Sequence, residues 1–150
     1  MNAVLEARGL FKRYPKAAAN AVDGLSLAVR EGSCFGLLGP NGAGKTTTVE
    51  IMEGVSAPDS GAVLYRGEPL GAAFRERSGI QFQETALQEK LTVRELLVLF
   101  GSFYPRVAPL DELVELCDLR EFLDRDSKKL SGGQRQRVLL AIALDRKSVV

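Results

Sequence analysis

The sequence predicts an α/β fold in which strands and helices alternate around a glycine-rich loop. Three consecutive features support this prediction. Residues 34–38 form a short apolar run that is typical of a strand buried on both faces. The glycine-rich residues 39–46 follow directly, and residues 45–53 then have the pattern of a helix. A strand, a glycine-rich loop and a helix in this order are the context in which such a loop binds phosphate.

The composition is that of a soluble globular domain and argues against several classes of protein. The chain has 150 residues, of which 45% are hydrophobic and 26% charged, and its formal net charge is +1. This length suits one buried core, and the near-neutral charge gives no general attraction to nucleic acid or anionic membranes. The longest apolar run, residues 138–144, is too short to span a bilayer, and we find no secretory signal.

The numbers of cysteine and histidine residues limit which metal sites and disulfides the chain can form. Cys34 and Cys117 are the only cysteines, and histidine is absent. The sequence therefore predicts no zinc site. We expect both cysteines to be small core residues of a cytosolic protein, without a structural disulfide.

Strands are predicted by alternating apolar residues between turn signals. We expect strands at 3–10 and 22–29, a further strand at 62–65 after the turn chemistry of 57–61, and a short one at 78–82.

Helices are predicted by capping residues and apolar periodicity. Thr92 and Glu95 fit a capping box that opens a helix ending before Pro105. Residues 110–117 predict an amphipathic helix with Leu113, Val114 and Leu116 facing inward. Ser131 is expected to cap a last helix that starts near Gly132.

The segment 39–46 matches G-x-x-x-x-G-K-[ST], and its residue types suit phosphate binding. Gly39, Gly42 and Gly44 permit backbone conformations that a Cβ would disfavour, and they let amide groups approach an anion closely. The N–H groups then point into one concavity at the positive end of a helix. Lys45 is expected to reach the β- and γ-phosphates, and the Thr46 hydroxyl to ligate Mg²⁺.

A second segment, Leu-Ser-Gly-Gly-Gln at 130–134, repeats this physical arrangement. Ser131 offers a hydroxyl, while Gly132 and Gly133 offer unobstructed amides at a helix N-terminus. Taken alone, the segment is also compatible with an ordinary helix N-cap, but its position downstream of the glycine-rich loop favours phosphate contact.

Together these segments resemble the ATP-binding subunits of ABC transporters. Residues 39–47, Gln83 and residues 130–137 look like the Walker A, Q-loop and signature segments, in the family's order, and the resemblance covers residues 3–144. The amino-acid sequence of residues 36–41 and 51–61 is most similar to that of bacterial multidrug or ABC-2-type exporter subunits. The resemblance implies a P-loop NTPase fold. It would be an ABC-type ATPase core with an N-terminal antiparallel β subdomain and a helical signature subdomain at about 85–130, lacking the Walker B strand and the residues beyond it.

The resemblance implies ATP and Mg²⁺ as cofactors. It places Lys45 and Gln83 in catalysis, and Thr46 and Gln83 at Mg²⁺. Tyr14 resembles the aromatic residue that stacks on adenine, with Phe11 as a competing candidate, and Gln81 competes with Gln83. The implied nucleotide-binding residues are Tyr14, Gly39, Asn41, Gly42, Ala43, Gly44, Lys45, Thr46, Thr47, Ser131, Gly132, Gly133 and Gln134, the last four facing ATP on an opposite subunit.

The implied partners are a second ATP-binding subunit and an integral membrane permease, with no nucleic acid. The protein would then be cytoplasmic and peripheral to the inner face of the membrane. Leu87 and the apolar face of the helix at 92–103 are candidates for the permease surface, although a core-facing helix explains the same pattern. The alternatives are a non-catalytic nucleotide-binding fragment and a soluble ABC ATPase acting on ribosomes or DNA.

The sequence after the signature helix departs from the family. ABC subunits place an apolar strand ending in Asp-Glu there, followed by a switch histidine, whereas Leu144 is followed by Asp145-Arg-Lys-Ser-Val-Val. We therefore expect residues 1–144 to form a partial domain without turnover. Residues 145–150 are expected to be a non-native tail, because their coding sequence would resemble a sequencing adapter. Without a neighbouring strand, the apolar residues at 34–38 should face water and make the chain aggregation-prone.

Overall fold

A computed structural model describes residues 3–81, 87–103 and 107–145 of the chain. These residues fall into two compact units, Met1–Gly71 and Ala72–Val150. The first is built around an antiparallel sheet, and the second is helical in its described part.

The sheet of the first unit is formed by β1 (Ala3–Lys12), β2 (Val22–Arg30), β3 (Ser60–Tyr65) and β4 (Glu68–Pro69). Its strand order is β2-β1-β3-β4, and all pairs are antiparallel. Along β2 the half-buried Leu25, Leu27 and Val29 alternate with exposed residues, as expected for a strand with one covered face. The predicted N-terminal antiparallel subdomain is confirmed.

One helix, α1 (Lys45–Met52), completes the first unit. Its buried side chains Thr48, Ile51 and Met52 lie on one face, at the i, i+3 and i+4 spacing that the helical repeat requires. The core of this unit consists of Ala7, Leu10, Val22, Ile51, Met52 and Val63. This packing fixes the helix on the sheet and so positions the residues that precede it.

Residues 34–38 do not form the buried strand that the sequence predicts. They belong to no strand, Phe35 is 48% exposed and Leu38 is 92% exposed. A strand needs a hydrogen-bonded neighbour, and within the described residues no strand pairs with this segment. The exposure of the apolar run is therefore confirmed, whereas its strand conformation is wrong, and so is the placement of Cys34 in the core.

The second unit contains α2 (Ala72–Arg77), α3 (Val93–Gly101), α4 (Leu110–Leu116) and α5 (Gly132–Leu144), with two short 3₁₀ turns at Arg120–Phe122 and Ser127–Lys129. Among the described helices, none is both long and apolar enough to cross a membrane. The core is formed by Leu87, Val93, Leu96, Leu97, Val114, Cys117, Leu119, Phe122, Leu123, Val138, Leu139 and Ala141. Cys117 is buried, as expected from the sequence.

Two helices of this unit begin with capping boxes; the box at Thr92 and the Ser131 cap were predicted from the sequence, whereas the reciprocal contact of Gln134 was not. The Thr92 side chain accepts from the Glu95 N–H, and the Glu95 carboxylate accepts from the Thr92 N–H at 2.7 Å. Ser131 and Gln134 form the same reciprocal pair at the start of α5. Each box satisfies amide donors that the first turn of a helix leaves without a partner.

Three further features differ from the sequence-based expectation. Residues 78–81 are not a strand; a Cβ on Gly79 would lie 1.8 Å from the Ala143 carbonyl oxygen, so this segment instead lies directly on the end of α5. Phe82, the last residue of that predicted strand, lies outside the described residues. Leu116 is 65% exposed rather than inward, and α2, where Phe74 is the buried residue, was not predicted.

Candidate nucleotide-binding site

The glycine-rich loop leads directly into α1 and is fixed at Gly44. Gly44 is the N-cap of the helix and has a left-handed conformation, with φ 78°. A Cβ at this position would lie 1.9 Å from the carbonyl oxygen of Ala21, so only glycine fits. This close approach holds the loop against the connection between β1 and β2, and it defines where the helix begins.

The amide donors at this end of α1 are available to a ligand. Gly44 provides no side-chain cap, and the first hydrogen bond of the helical type runs from the Thr48 N–H to the Gly44 oxygen, at 2.8 Å. Among the earlier N–H groups, that of Ala43 donates to the Pro40 oxygen at 3.3 Å, and those at the start of α1 precede the helical ladder. Asn41, Gly42, Ala43 and Thr46 are exposed. An anion can thus reach donors at the positive end of the helix dipole.

The Lys45 ammonium lies inside the loop. Its Nζ donates to the Gly39 carbonyl oxygen at 2.7 Å and to the Pro40 carbonyl oxygen at 2.6 Å. An ammonium group has three donors and is attracted more strongly by a phosphate oxygen than by a neutral carbonyl. The lysine is therefore placed where an incoming phosphate would compete for it.

Tyr14 is close to the phosphate loop, whereas the competing Phe11 is engaged elsewhere. The Tyr14 hydroxyl lies 3.5 Å from the Thr47 hydroxyl, and Tyr14 is 42% exposed. The Phe11 ring covers Gly24 of β2, where an added Cβ would lie 3.2 Å from Phe11 Cζ. The structure thus brings the Tyr14 hydroxyl next to the first turn of α1, whereas the Phe11 ring, which is 39% exposed, contacts Gly24.

An acidic residue that sequence reasoning did not select lies beside this tyrosine. Asp59 accepts from the Arg13 N–H at 2.7 Å and from Lys12 Nζ at 3.1 Å. These hydrogen bonds, the backbone one foremost, lower the pKa of Asp59. The turn chemistry of residues 57–61 was recognised, but the contact spans 47 residues of sequence and has no local signal.

The signature residues lie at the N-terminus of α5 in the second unit. Ser131, Gly132 and Gly133 are exposed. The Ser131 hydroxyl accepts from the Gln134 N–H at 3.2 Å, and the Ser131 N–H donates to Gln134 Oε1 at 3.0 Å. The helix-cap interpretation of this segment is therefore realised in the structure, with Ser131, Gly132 and Gly133 exposed.

Packing does not explain the two glycines. A Cβ at Gly132 or Gly133 would meet nothing within 4 Å. Glycine in a helix is less favourable than alanine by about 0.8–1.0 kcal/mol per residue. Gly132 and Gly133 are the first two residues of α5, and within the described residues steric packing does not require glycine at either position.

The glutamine proposed for the Q-loop is not described. Gln83 lies in the gap between residues 81 and 87. Its competitor Gln81 donates from Nε2 to Gln136 Oε1 at 2.6 Å, so that amide already has a partner on α5. Among the described residues, no group of three histidine, cysteine, aspartate or glutamate side chains is arranged to hold a metal ion.

The candidate permease surface, Leu87 and the apolar face of the helix at 92–103, includes both buried and exposed residues. Leu87 is 6% exposed and belongs to the core, so of the two alternatives left open by the sequence the core-facing one holds for this residue. On and after α3, Val98 and Phe103 are 62% and 64% exposed, and Leu99 is 37% exposed.

Asp145, which follows the signature helix, is used inside the second unit. It is 4% exposed, and its Oδ1 accepts from the Ala108 N–H at 2.9 Å. Burial raises the pKa of this carboxyl group. A carboxyl group in this setting is engaged with the protein backbone rather than presented to a nucleotide.

The family follows from comparison with known proteins. The family model described as "ABC transporter" matches residues 22–150 of the chain. This chain belongs to the ABC transporter family. The matched region of this ABC transporter chain includes both glycine-rich segments described above.

The ABC transporter chain is similar to curated relatives named Nod factor export ATP-binding protein I. It is 43% identical to the protein from Paraburkholderia xenovorans over 131 residues, covering 82% of this chain and 43% of the relative. It is 41% identical to that from Ralstonia nicotianae over 149 residues, covering 94% and 46%. The chain therefore spans slightly less than half the length of these relatives.

Solved structures have the same fold. CbiO1 from Clostridium perfringens, described as part of the ABC transporter complex cbiONQ, superposes with a TM-score of 0.81 at 25% identity, covering 97% of this chain and 62% of that one. A structure described as the ATP binding subunit of an ABC transporter gives 0.80 at 27% identity, covering 95% and 62%. The predicted ABC ATPase fold class is confirmed.

Proposed function

We propose that this chain binds ATP with Mg²⁺ in the loop at residues 39–46. The observation that supports this most strongly is the left-handed Gly44 cap, which opens the first amides of α1 toward exposed loop residues. Backbone donors at a helix N-terminus suit the β- and γ-phosphates of a nucleoside triphosphate. Lys45 adds the positive charge by exchanging its two carbonyl contacts for phosphate oxygens.

The site can bind Mg²⁺ because this ion needs only one or two protein ligands when phosphates are bound beside it. The ion usually keeps several waters and is held by one or two protein oxygens together with substrate phosphates. Thr46, exposed at the first turn of α1, offers one hydroxyl oxygen, and Gln83 is our second candidate ligand. When bound, the ion would neutralise charge on the phosphates.

The signature segment acts, in our proposal, on ATP held by a second ATP-binding subunit. Gly132 and Gly133 are exposed, and packing within the described residues does not require glycine at either position. Both facts support this role. The Ser131–Gln134 cap would hold the segment rigid while the Ser131 O–H remains free to donate to a phosphate oxygen.

In the complete protein, the ATP bound in this way would power export through a membrane permease. The curated relatives named as export ATP-binding proteins support this direction. Such a subunit would lie at the cytoplasmic face of the membrane, held there by the permease. The exposed Val98, Leu99 and Phe103 are our candidate contact for that partner.

A second candidate function is nucleotide binding without turnover by the 150-residue chain. Hydrolysis needs a carboxylate near the metal and a group that positions water. Asp145 is instead buried and bonded to the Ala108 amide, and the sequence contains no histidine. Measuring phosphate release from this chain with Mg²⁺ and ATP distinguishes the two candidates, since turnover would contradict the second.

The binding proposal is tested by the variant Lys45→Ala in isothermal titration with ATP and Mg²⁺. Removing the ammonium should abolish measurable binding, while the matched variant Lys128→Ala, which removes an exposed lysine from an ion pair with Glu89, should bind as the parent chain does. Retained ATP binding by Lys45→Ala would remove the assignment of the loop.

A further inference from the structure

Lys12, at the end of β1, contacts the turn before β3 through two hydrogen bonds and the Tyr14 ring through its ammonium group. Its Nζ donates to the Ala57 carbonyl oxygen at 2.8 Å and to Asp59 Oδ1 at 3.1 Å. The same ammonium lies over the Tyr14 ring, 5.9 Å from the centroid, within cation–π range. Only 18% of the Lys12 side chain is exposed. A lysine so enclosed is held in one position rather than moving freely in solvent.

Asp59 is itself fixed to the same strand. Its other oxygen accepts from the Arg13 N–H at 2.7 Å, and its own N–H donates to the Phe11 carbonyl oxygen at 2.8 Å. The hydrogen bonds to the carboxylate stabilise its charged form, which keeps it an acceptor for Lys12 at neutral pH. The turn before β3 therefore holds in place the ammonium that lies over the Tyr14 ring.

The polar contact of the Tyr14 side chain is too long to orient the ring. The 3.5 Å separation of its hydroxyl from Thr47 Oγ1 is at the limit of a hydrogen bond and involves only the phenol oxygen. The ammonium, in contrast, acts on the ring itself. A ring that is 42% exposed would otherwise move between rotamers.

We propose that Lys12 and Asp59 are positioning residues that hold the Tyr14 ring in place to stack on the base of the nucleotide. This inference rests on the proposed function, because it requires Tyr14 to contact the adenine of bound ATP. It adds two residues outside the phosphate loop that determine how strongly the base, as opposed to the phosphates, contributes to binding. A ring ordered in advance loses less conformational entropy when the base arrives.

The test separates the base from the phosphates by using two probes, ATP and inorganic tripolyphosphate, each with Mg²⁺. Isothermal titration is done on the parent chain and on Lys12→Met, which keeps the length and apolar character of the stem without the charge. We expect ATP binding to weaken by about two- to tenfold, corresponding to the ordering of one side chain, and tripolyphosphate binding to stay unchanged. Lys12→Arg, which restores a cation over the ring, should recover ATP binding.

Asp59→Asn supplies an independent variant. The amide oxygen can still accept from the Arg13 N–H, but the attraction for the ammonium is lost, so a smaller base-selective loss is expected. The matched controls are Lys128→Met and Glu31→Gln, each of which removes one charge from an exposed ion pair elsewhere. Far-UV circular dichroism and urea unfolding establish that every variant is folded before titration.

Equal weakening of both probes would overturn the proposal, because it would assign Lys12 to the phosphates or to general stability. An unchanged affinity for ATP in folded Lys12→Met would overturn it as well. Failure of the proposed function has a different signature: the parent chain would then bind neither probe. Binding of both probes with equal affinity by the parent would exclude a role for the base, and with it this inference.

Discussion

Leu10 and Leu38 provide a matched test of the packing in the first unit, since substitution by alanine should destabilise the chain strongly at the first position and hardly at all at the second. Leu10 is 0% exposed within the core of the sheet, and Leu38 is 92% exposed in the segment that forms no strand. Truncating a buried leucine to alanine costs about 2–5 kcal/mol in lost transfer free energy and cavity formation. Leu38→Ala removes almost no buried surface, so its effect should stay within about 0.5 kcal/mol.

The assay is equilibrium unfolding in urea followed by far-UV circular dichroism, at several protein concentrations. Leu10→Ala should lower the unfolding midpoint strongly, and Leu38→Ala should leave it unchanged. A polar variant, Leu38→Asp, should reduce light scattering, because it interrupts an exposed apolar run. A large, concentration-independent destabilisation by Leu38→Ala would refute the reasoning, since it would mean that Leu38 is buried within the chain.

Three further predictions follow from single positions. Gly44→Ala should destabilise the chain by about 1–3 kcal/mol more than Gly42→Ala in urea unfolding, because both have positive φ but only the first overlaps the Ala21 carbonyl. Gly133→Ala should stabilise the chain by up to about 1 kcal/mol while weakening ATP-dependent dimerisation in analytical ultracentrifugation. Asp145→Asn should gain unfolding free energy relative to the parent as pH rises above about 4, because burial raises the folded-state pKa and ionisation then costs stability.

Each of these has a clear contrary outcome. Equal destabilisation by the two loop variants would show that the clash at Gly44 is relieved without cost. A Gly133→Ala protein that dimerises as well as the parent would leave the signature glycines without a function. A constant difference between Asp145→Asn and the parent across the pH range would mean that the carboxyl group titrates alike in the folded and unfolded chain.

The features predicted from sequence are those specified by neighbouring residues. The capping box at Thr92 and the helix cap at Ser131 depend on residues within three positions, and both form as expected. The glycine-rich loop likewise carries its own conformational requirement, which the left-handed Gly44 meets. The capping contacts act within one turn of the chain and do not depend on distant packing, whereas the carbonyl of Ala21 adds a distant reason for glycine at position 44.

The features that sequence reasoning missed depend on distant partners. Residues 34–38 have the composition of a buried strand, but burial requires neighbours that the described residues do not supply. The pair Gln81–Gln136 spans 55 residues, and the Lys12–Asp59 contact spans 47. The wrong placement of Leu116 has the same origin, since apolar periodicity marks a face without identifying what covers it.

Backbone amide chemical shifts of the isotope-labelled chain during titration with ATP and Mg²⁺ test the central claim most directly. The account predicts that the largest shifts occur at residues 41–47, with smaller ones at Tyr14, and that Lys45→Ala abolishes them. Shifts confined to the second unit, or an unchanged loop at saturating ATP, would contradict the conclusion that these amides receive the phosphates.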